Sequence, residues 1–256
     1  MPPEMAMGQR LALLARYHGF LEIPIVFSRR WMTRLFLAGP EVRTLDLGCG
    51  EGRLTLAAAR GGGYALGISN NREALQRGMQ TRELVGLPPE RAEFRCADLR
   101  TWQPAPDEQY DQVFLFNVLE HLLDDASLLR RARSVLKPNG LLFVSAPNRA
   151  ASLRERCSHV SRHENGWHVR HGYTFEQMEE LLGRCGLEAV DRRGVGWGGS
   201  QALWRLTRDL PLPRPLRGIV RAAVCIALRP VAWIVDWVPV GEPYYILVKA
   251  RRTARE

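Results

Sequence analysis

The chain has 256 residues, 46% of them hydrophobic, and a formal net charge of +9. That length suits one large globular domain with an appended lid better than two independent domains. Five scattered cysteines (Cys49, Cys96, Cys157, Cys185, Cys225) without a CxxC pair argue against a disulfide framework or structural zinc. The opening stretch MPPEMAMGQR lacks the basic-then-apolar layout of a secretory signal. The expected location is therefore cytoplasmic, with peripheral contact to the inner face of a membrane as an option. The positive charge, concentrated in LLRRAR (128–133) and KARRTARE (249–256), suits anionic partners or simply a solvated basic surface. No stripe alternates basic with aromatic residues, so nucleic acid is not the favoured partner.

In chain order, residues 5–38 read as amphipathic helices, with Phe27, Trp31 and Leu35 at four-residue spacing. An N-terminal helical lid over residues 1–40 is the expectation. From 41 onward, short apolar β-type runs alternate with longer helical patterns, as in a parallel sheet with helices on both faces. The runs are VRTLDLG (42–48), YALGIS (64–69), AEFRCAD (92–98), DQVFLFN (111–117) and GLLFVSAP (140–147). Between them, RLTLAAAR, REALQRGMQTRELVG and LLRRARSVL carry helical spacing. KPNG (137–140) has the chemistry of a turn, since Pro presets φ and Asn-Gly accepts positive φ. A His-rich loop (148–172) leads to a helix opened by Thr174, which forms a capping box with Gln177, and Gly186 stops it. Strands near 187–195 and at YYILVKA (244–250) complete the pattern. Between them, LRGIVRAAVCIALRPVAWIVDWVPVG (216–241) is the most apolar stretch. Arg221, Arg229, Pro230 and Asp236 break it too often for a spanning helix. Residues 200–240 are expected to pack over the core as a lid, with a membrane-interface helix as the alternative.

The most specific signal is LDLGCGEGR (45–53). A strand ends near Asp46, and Gly48, Gly50 and Gly52 form a GxGxG turn into a helix. Glycine is needed where backbone turns sharply and approaches a ligand closely. A dinucleotide site expects GxGxxG and an acid about 20 residues on, whereas here the next strand ends in Ser69.

This series resembles the class I S-adenosylmethionine (SAM)-dependent methyltransferases from about Thr44 to Leu187. The resemblance rests on LDLGCGEGR, GISNNREAL, FRCADL, YDQVFLFNVLEHL and LLRRARSVLKPNGLLFVSAP, which occur in the family's order and spacing. It implies a Rossmann-like α/β three-layer sandwich with a mostly parallel seven-stranded sheet. The late strands and the insertion before the last one fit that frame. The resemblance also implies that Gly48, Cys49 and Gly50 hold the methionine part of SAM, with Asp46 near its amino group. Asp98 would bind the adenine amino group, and the Leu99 backbone would contact the ring. One departure stands out: the family usually ends its second strand with an acid for the ribose hydroxyls, and this chain has Ser69. A serine makes one hydrogen bond where a carboxylate makes a charge-assisted pair, leaving Asn70 or Asn71 to substitute. Neutral residues at this place are similar to those of relatives that act on lipid-like acceptors.

The acceptor side centres on FNVLEHLLDD (116–125). If a helix begins near Asn117, then Asn117, Glu120 and His121 share one face at i, i+3 and i+4. In ubiquinone-pathway O-methyltransferases and small-RNA 3′-end methyltransferases, a similar Glu-x-x-Glu-His stretch holds a divalent metal, completed in the RNA enzymes by a later histidine. RHGYTF puts His171 in a comparable place. Here Asn117 occupies the first acid's position, so a metal held by Glu120, His121 and His171 is not favoured. A wall of the cofactor pocket, with Asn117 beside SAM, is the plainer role. His121, His168 and His171 are the candidates for general base, while His159 and His163 fit a solvated loop. The expected reaction is methylation of a small hydrophobic metabolite, at oxygen by preference. The rivals are an RNA methyltransferase with a partial metal site and a non-catalytic partner protein on the same fold.

Overall fold

The computed structural model describes residues 5–18, 36–151, 160–198 and 239–253, with isolated positions between 201 and 234. Seven strands form one sheet: β1 (Arg43–Leu47), β2 (Tyr64–Ser69), β3 (Ala92–Cys96), β4 (Tyr110–Phe116), β5 (Leu136–Pro147), β6 (Leu187–Val195) and β7 (Tyr245–Arg252). Helices α2 (Arg53–Arg60), α3 (Arg72–Leu84), α4 (Asp125–Ser134) and α5 (Phe175–Arg184) accompany them, and α1 (Met7–Tyr17) lies in the N-terminal segment. The strand order is β3-β2-β1-β4-β5-β7-β6. The first five run parallel, and β7 enters antiparallel beside β5. The expected seven-stranded, mostly parallel sheet is therefore present.

The central strands are buried along nearly their whole length because helices cover both faces. That is why TLDL, ALGIS and QVFL read as runs rather than as alternating patterns. Leu45, Leu47, Leu66, Ile68, Val113 and Leu115 form the middle of the core, with Leu128, Leu129 and Met178 packed over them. On one face Phe114 meets Phe143 edge-on at 5.7 Å and lies 4.1 Å from Phe36. Gln112, fully buried in β4, fastens the segment that enters this face. Its Oε1 accepts from the Leu37 N–H at 2.8 Å, and its Nε2 donates to the Leu37 carbonyl and to Thr44 Oγ1.

Two local readings change. KPNG lies within the span of β5, but Tyr110 pairs with Leu136 and Gln112 with Leu141, so residues 137–140 bulge out of register. The turn survives inside the strand, with Asn139 at φ +64°. No helix begins at Asn117, which is left-handed at φ +56°. A single 3-10 turn, Leu119–His121, follows instead, and α4 starts at Asp125 with Asp124 accepting from the Ser127 N–H. Asn117 therefore does not share a helical face with Glu120 and His121. The capping box at Thr174 has both of its bonds, and Gly186 closes that helix at φ +71°.

The chain divides into two compact units. One comprises residues 36–194 and 245–256 and holds the sheet. The other joins residues 1–35 with 195–244, so the N-terminal segment and the apolar insertion belong together. Phe27, Trp31, Leu35 and most of 216–241 lie outside the described residues. In the second unit, Gln201 Nε2 donates to the carbonyls of Gly196 and Glu242, closing the base of the insertion. No described helix is long and apolar enough to cross a membrane.

Gln112→Leu keeps the volume but strips three groups of their partners. It should lower unfolding free energy by about 1–3 kcal/mol in a denaturant titration, the cost of buried polar groups left unpaired.

Candidate active site

In an open parallel sheet, ligands bind beyond the carboxyl ends of the strands where the strand order reverses. Here that point lies between β1 and β4, and the glycine turn, Ser69, Cys96–Asp98 and Asn117 all follow strand ends there. The turn is tight. The N–H groups of Gly48 and Cys49 both donate to the Ile68 carbonyl, at 2.8 and 3.0 Å. Gly48, Gly50 and Gly52 all have positive φ, between +55° and +82°, a region costly for residues with a Cβ.

The three glycines answer different constraints. A Cβ on Gly48 would stand 2.3 Å from Val118 Cγ2, and one on Gly52 would stand 2.1 Å from the Phe94 ring. A Cβ on Gly50 would meet nothing within 4 Å. Two glycines thus let neighbours close in, while the third borders open space that a ligand can fill. The residues present fit SAM at this cradle.

Asp46 is nearly fully buried, and its Oδ2 accepts from the Thr55 N–H at 3.1 Å and from Thr55 Oγ1 at 2.7 Å. It therefore fixes the first turn of α2 onto the end of β1. Cys49 lies alongside. Burial first, and the Asp46 charge second, push its thiol well above the ordinary range, so it is inert as a nucleophile. Gly67 in β2 makes room for this pair, because a Cβ there would fall 2.8 Å from Thr55 Oγ1 and 2.9 Å from Cys49 Sγ.

Ser69 is buried at the end of β2, where its Oγ accepts from the Asn71 N–H. Asn71 in turn caps α3 by accepting from the Ala74 N–H, which leaves the exposed Asn70 as the neighbouring polar side chain. Asp98 is gripped by its own loop. Arg100 donates to both carboxylate oxygens from Nε, and its backbone N–H adds a third bond at 2.9 Å. The Arg100 side chain holds the Asp98 carboxyl below the usual range, with the backbone bond adding to the effect. Leu99 packs into the core, and its carbonyl accepts from Arg131 at 2.9 Å.

Beyond β4, the Asn117 N–H donates to the Ser145 carbonyl at 2.8 Å. Its Oδ1 is buried without a hydrogen-bond partner among the described residues, leaving an acceptor to which a ligand N–H could donate. Three residues on, Glu120 is completely buried and His121 half-buried. The His121 ring meets that of His168 edge-on, centroids 4.6 Å apart. One ligand atom from each of Glu120, His121 and His168 lies within 4.8 Å of the others. The later histidine brought to this cluster is thus His168; His171 is exposed and outside it. His163 is exposed on the loop and Trp167 is 63% exposed, while His159 lies outside the described residues.

Sequence reasoning missed Thr55, Gly67, Phe94 and Arg100 on the donor side. It also missed Asp125, Arg170 and Tyr173 around the histidine pair. Only Gly67 carried a readable signal, since an isolated glycine inside a strand marks a close approach.

Two substitutions separate these roles. Gly50→Val should weaken SAM binding at least tenfold in calorimetry while costing about 1–2 kcal/mol of stability for its positive φ. Ser69→Asp should tighten SAM roughly tenfold if the ribose hydroxyls lie there, because it adds a charge-assisted acceptor. Unchanged affinity in Ser69→Asp would remove the ribose from this corner.

Comparisons with known proteins agree with this arrangement. A methyltransferase-domain family matches residues 45–144. A ubiquinone biosynthesis O-methyltransferase of Rhizobium etli (strain CIAT 652) is 26% identical over 183 residues, covering 69% of this chain and 72% of its own. Among solved structures, the (4+2)-cyclase SpnF superposes with a TM-score of 0.60 at 23% identity, over 90% of this chain and 82% of its own. A SAM-dependent methyltransferase of Mesorhizobium loti gives 0.58 at 20% identity, over 88% and 98%. With its glycine cradle at the switch point of a seven-stranded sheet, the chain carries a methyltransferase domain over residues 45–144 and is similar to SAM-dependent methyltransferases, the ubiquinone biosynthesis O-methyltransferases among them.

Proposed function

We propose that this methyltransferase acts on a hydroxyl oxygen of a small, hydrophobic acceptor, a lipid, quinone or natural-product intermediate. The observation that carries this reading is the His121–His168 pair beyond the end of β4, beside the buried Glu120. SAM, when bound, supplies an electrophilic methyl group on a sulfonium. What the chain must add is position and a place for the hydroxyl proton. Imidazole is the side chain most often used for that proton, and two imidazoles meet here. His121 or His168 takes the proton as the acceptor oxygen attacks, and the edge-on contact holds the receiving ring in place. The naming of relatives at 25–26% identity as ubiquinone biosynthesis O-methyltransferases supports oxygen as the target.

On the donor side, the backbone of Gly48, Cys49 and Gly50 would pass along the methionine part, with Asn117 Oδ1 accepting from its ammonium. Ser69 and Asn70 would face the ribose, and Asp98 and Leu99 the adenine. Asp46 would contribute through Thr55 by holding the turn rather than by touching the ligand.

A second reading has its own support. Two imidazoles and a carboxylate within 4.8 Å form a donor set for a divalent ion of the zinc or manganese type more than for magnesium. Such an ion would lower the acceptor's pKa in place of a base. Peripheral membrane contact also remains a proposal, supported by exposed Met7 and Leu11 in α1 and Ile226, Ile234 and Val240 in the insertion.

The deciding experiment follows S-adenosylhomocysteine release with a panel of alkylated phenols and catechols, and locates the methyl group by NMR. O-methyl products are expected, and methylation at nitrogen or carbon would overturn the proposal. His121→Ala or His168→Ala should reduce kcat by roughly 10²–10⁴-fold, the size of a general-base contribution, with SAM affinity within twofold of the parent. His171→Ala should keep its activity. Turnover that survives exhaustive chelation selects the base, and turnover restored by Mn²⁺ or Zn²⁺ selects the metal.

A further inference from the structure

His168 comes from a loop 47 residues beyond His121, and something must hold the two rings together. The loop is pinned to the 3-10 turn at several points. The Val169 N–H donates to the Glu120 carbonyl at 2.8 Å. Arg170 Nη2 donates to the carbonyls of Leu122 at 2.6 Å and Leu123 at 3.1 Å. Arg170 Nη1 pairs with Asp125 Oδ2. The same Oδ2 accepts from the Tyr173 hydroxyl at 2.6 Å, and that hydroxyl also lies 3.2 Å from the Leu119 carbonyl. Asp125 and Tyr173 are both buried, and the guanidinium lies 5.5 Å from the Tyr173 ring centre. One guanidinium thus joins the first turn of α4, two carbonyls of the segment just after His121, and the residue two beyond His168.

We infer that Arg170 is the positioning residue of the acceptor site, a clamp that docks the histidine loop and sets His168 against His121. The inference rests on the reading that this histidine pair carries the acceptor chemistry. An ordinary surface ion pair contributes little, but this one is largely enclosed and spans two carbonyls besides the carboxylate. The planar fork of arginine can reach all three acceptors at once, whereas a lysine ammonium cannot hold that geometry. Lysine at 170 would keep Asp125 paired and the chain folded while releasing the carbonyls of Leu122 and Leu123. The donor cradle shares none of these contacts, so a defect in the clamp falls on one side of the site.

The test uses the full chain as Arg170→Lys, His168→Ala and the double variant. The first readout needs no acceptor: a nuclear Overhauser contact between the His121 and His168 ring protons in the parent. It should vanish in Arg170→Lys, with SAM affinity by calorimetry within twofold of the parent. The second is S-adenosylhomocysteine release with an alkylated catechol. Arg170→Lys should lower kcat by at least tenfold with little change in KM for SAM, and the double variant should be no slower than His168→Ala alone. Several outcomes would overturn the clamp: a retained ring contact, factors that multiply in the double variant, or a parallel loss of SAM binding. Full turnover in His168→Ala removes the histidine reading and this inference with it. A loss in His168→Ala but none in Arg170→Lys removes the inference alone.

Discussion

The donor end of the sheet depends on one close approach. The chain leaving β4 passes so near the turn after β1 that Gly48 has no room for a Cβ, with Val118 Cγ2 in its place at 2.3 Å. That contact dictates what surrounds it. To bring Val118 down onto the turn, the backbone must reverse immediately after Phe116. Asn117 does so in the left-handed region at φ +56°, a conformation asparagine tolerates better than most residues. The chain then has space for a single 3-10 turn before α4. In that turn Leu119 and Glu120 point inward and His121 reaches the edge of the site. The glycine motif and the Glu–His pair are therefore two sides of one packing problem.

The two halves of the site are held by different physics. Backbone shapes the donor half. Glycines remove side chains where neighbours must approach, and Asp46 spends its charge on Thr55 to hold the turn. The histidine half, proposed as the acceptor side, is held by an enclosed polar network of Arg170, Asp125 and Tyr173, with Glu164 of the same loop accepting from the Leu123 N–H at 2.6 Å. Burial and the Asp125 carboxylate both push the Tyr173 hydroxyl well up, so it stays a donor throughout the neutral range. A backbone cradle tolerates drift in the rest of the sequence. A charge network of this kind is sensitive to each member, because removing one leaves another buried without compensation.

That division explains how much could be read from the residues. The sheet was legible because central strands buried on both faces leave continuous apolar runs, and the Thr174 capping box was legible because its chemistry is local. The cradle was legible because glycine spacing reports a backbone geometry. The helix expected at Asn117 was not there, since no local signal announces that Val118 must fill the gap at Gly48. His168 rather than His171 joins the cluster for a similar reason. The loop's register is set by Val169 bonding to Glu120 and by Arg170 bonding to Leu122 and Leu123. These contacts span more than 45 positions and leave no periodic trace.

The fold alone does not settle the chemistry. A cyclase superposes on this chain as well as a methyltransferase does, and at such identities the likeness extends to the fold only. What ties this chain to methyl transfer is the donor cradle together with the family match over residues 45–144. Of the residues proposed to act on the acceptor, Glu120 and His121 lie inside that span and His168 lies beyond it, on the loop that comes back to them. The segment before it ends inside the matched span, at Glu120 and His121, and the loop begins after it. The proposed acceptor site thus straddles the end of the matched domain. A constellation of that kind can change its substrate by exchanging the loop while the cradle stays as it is.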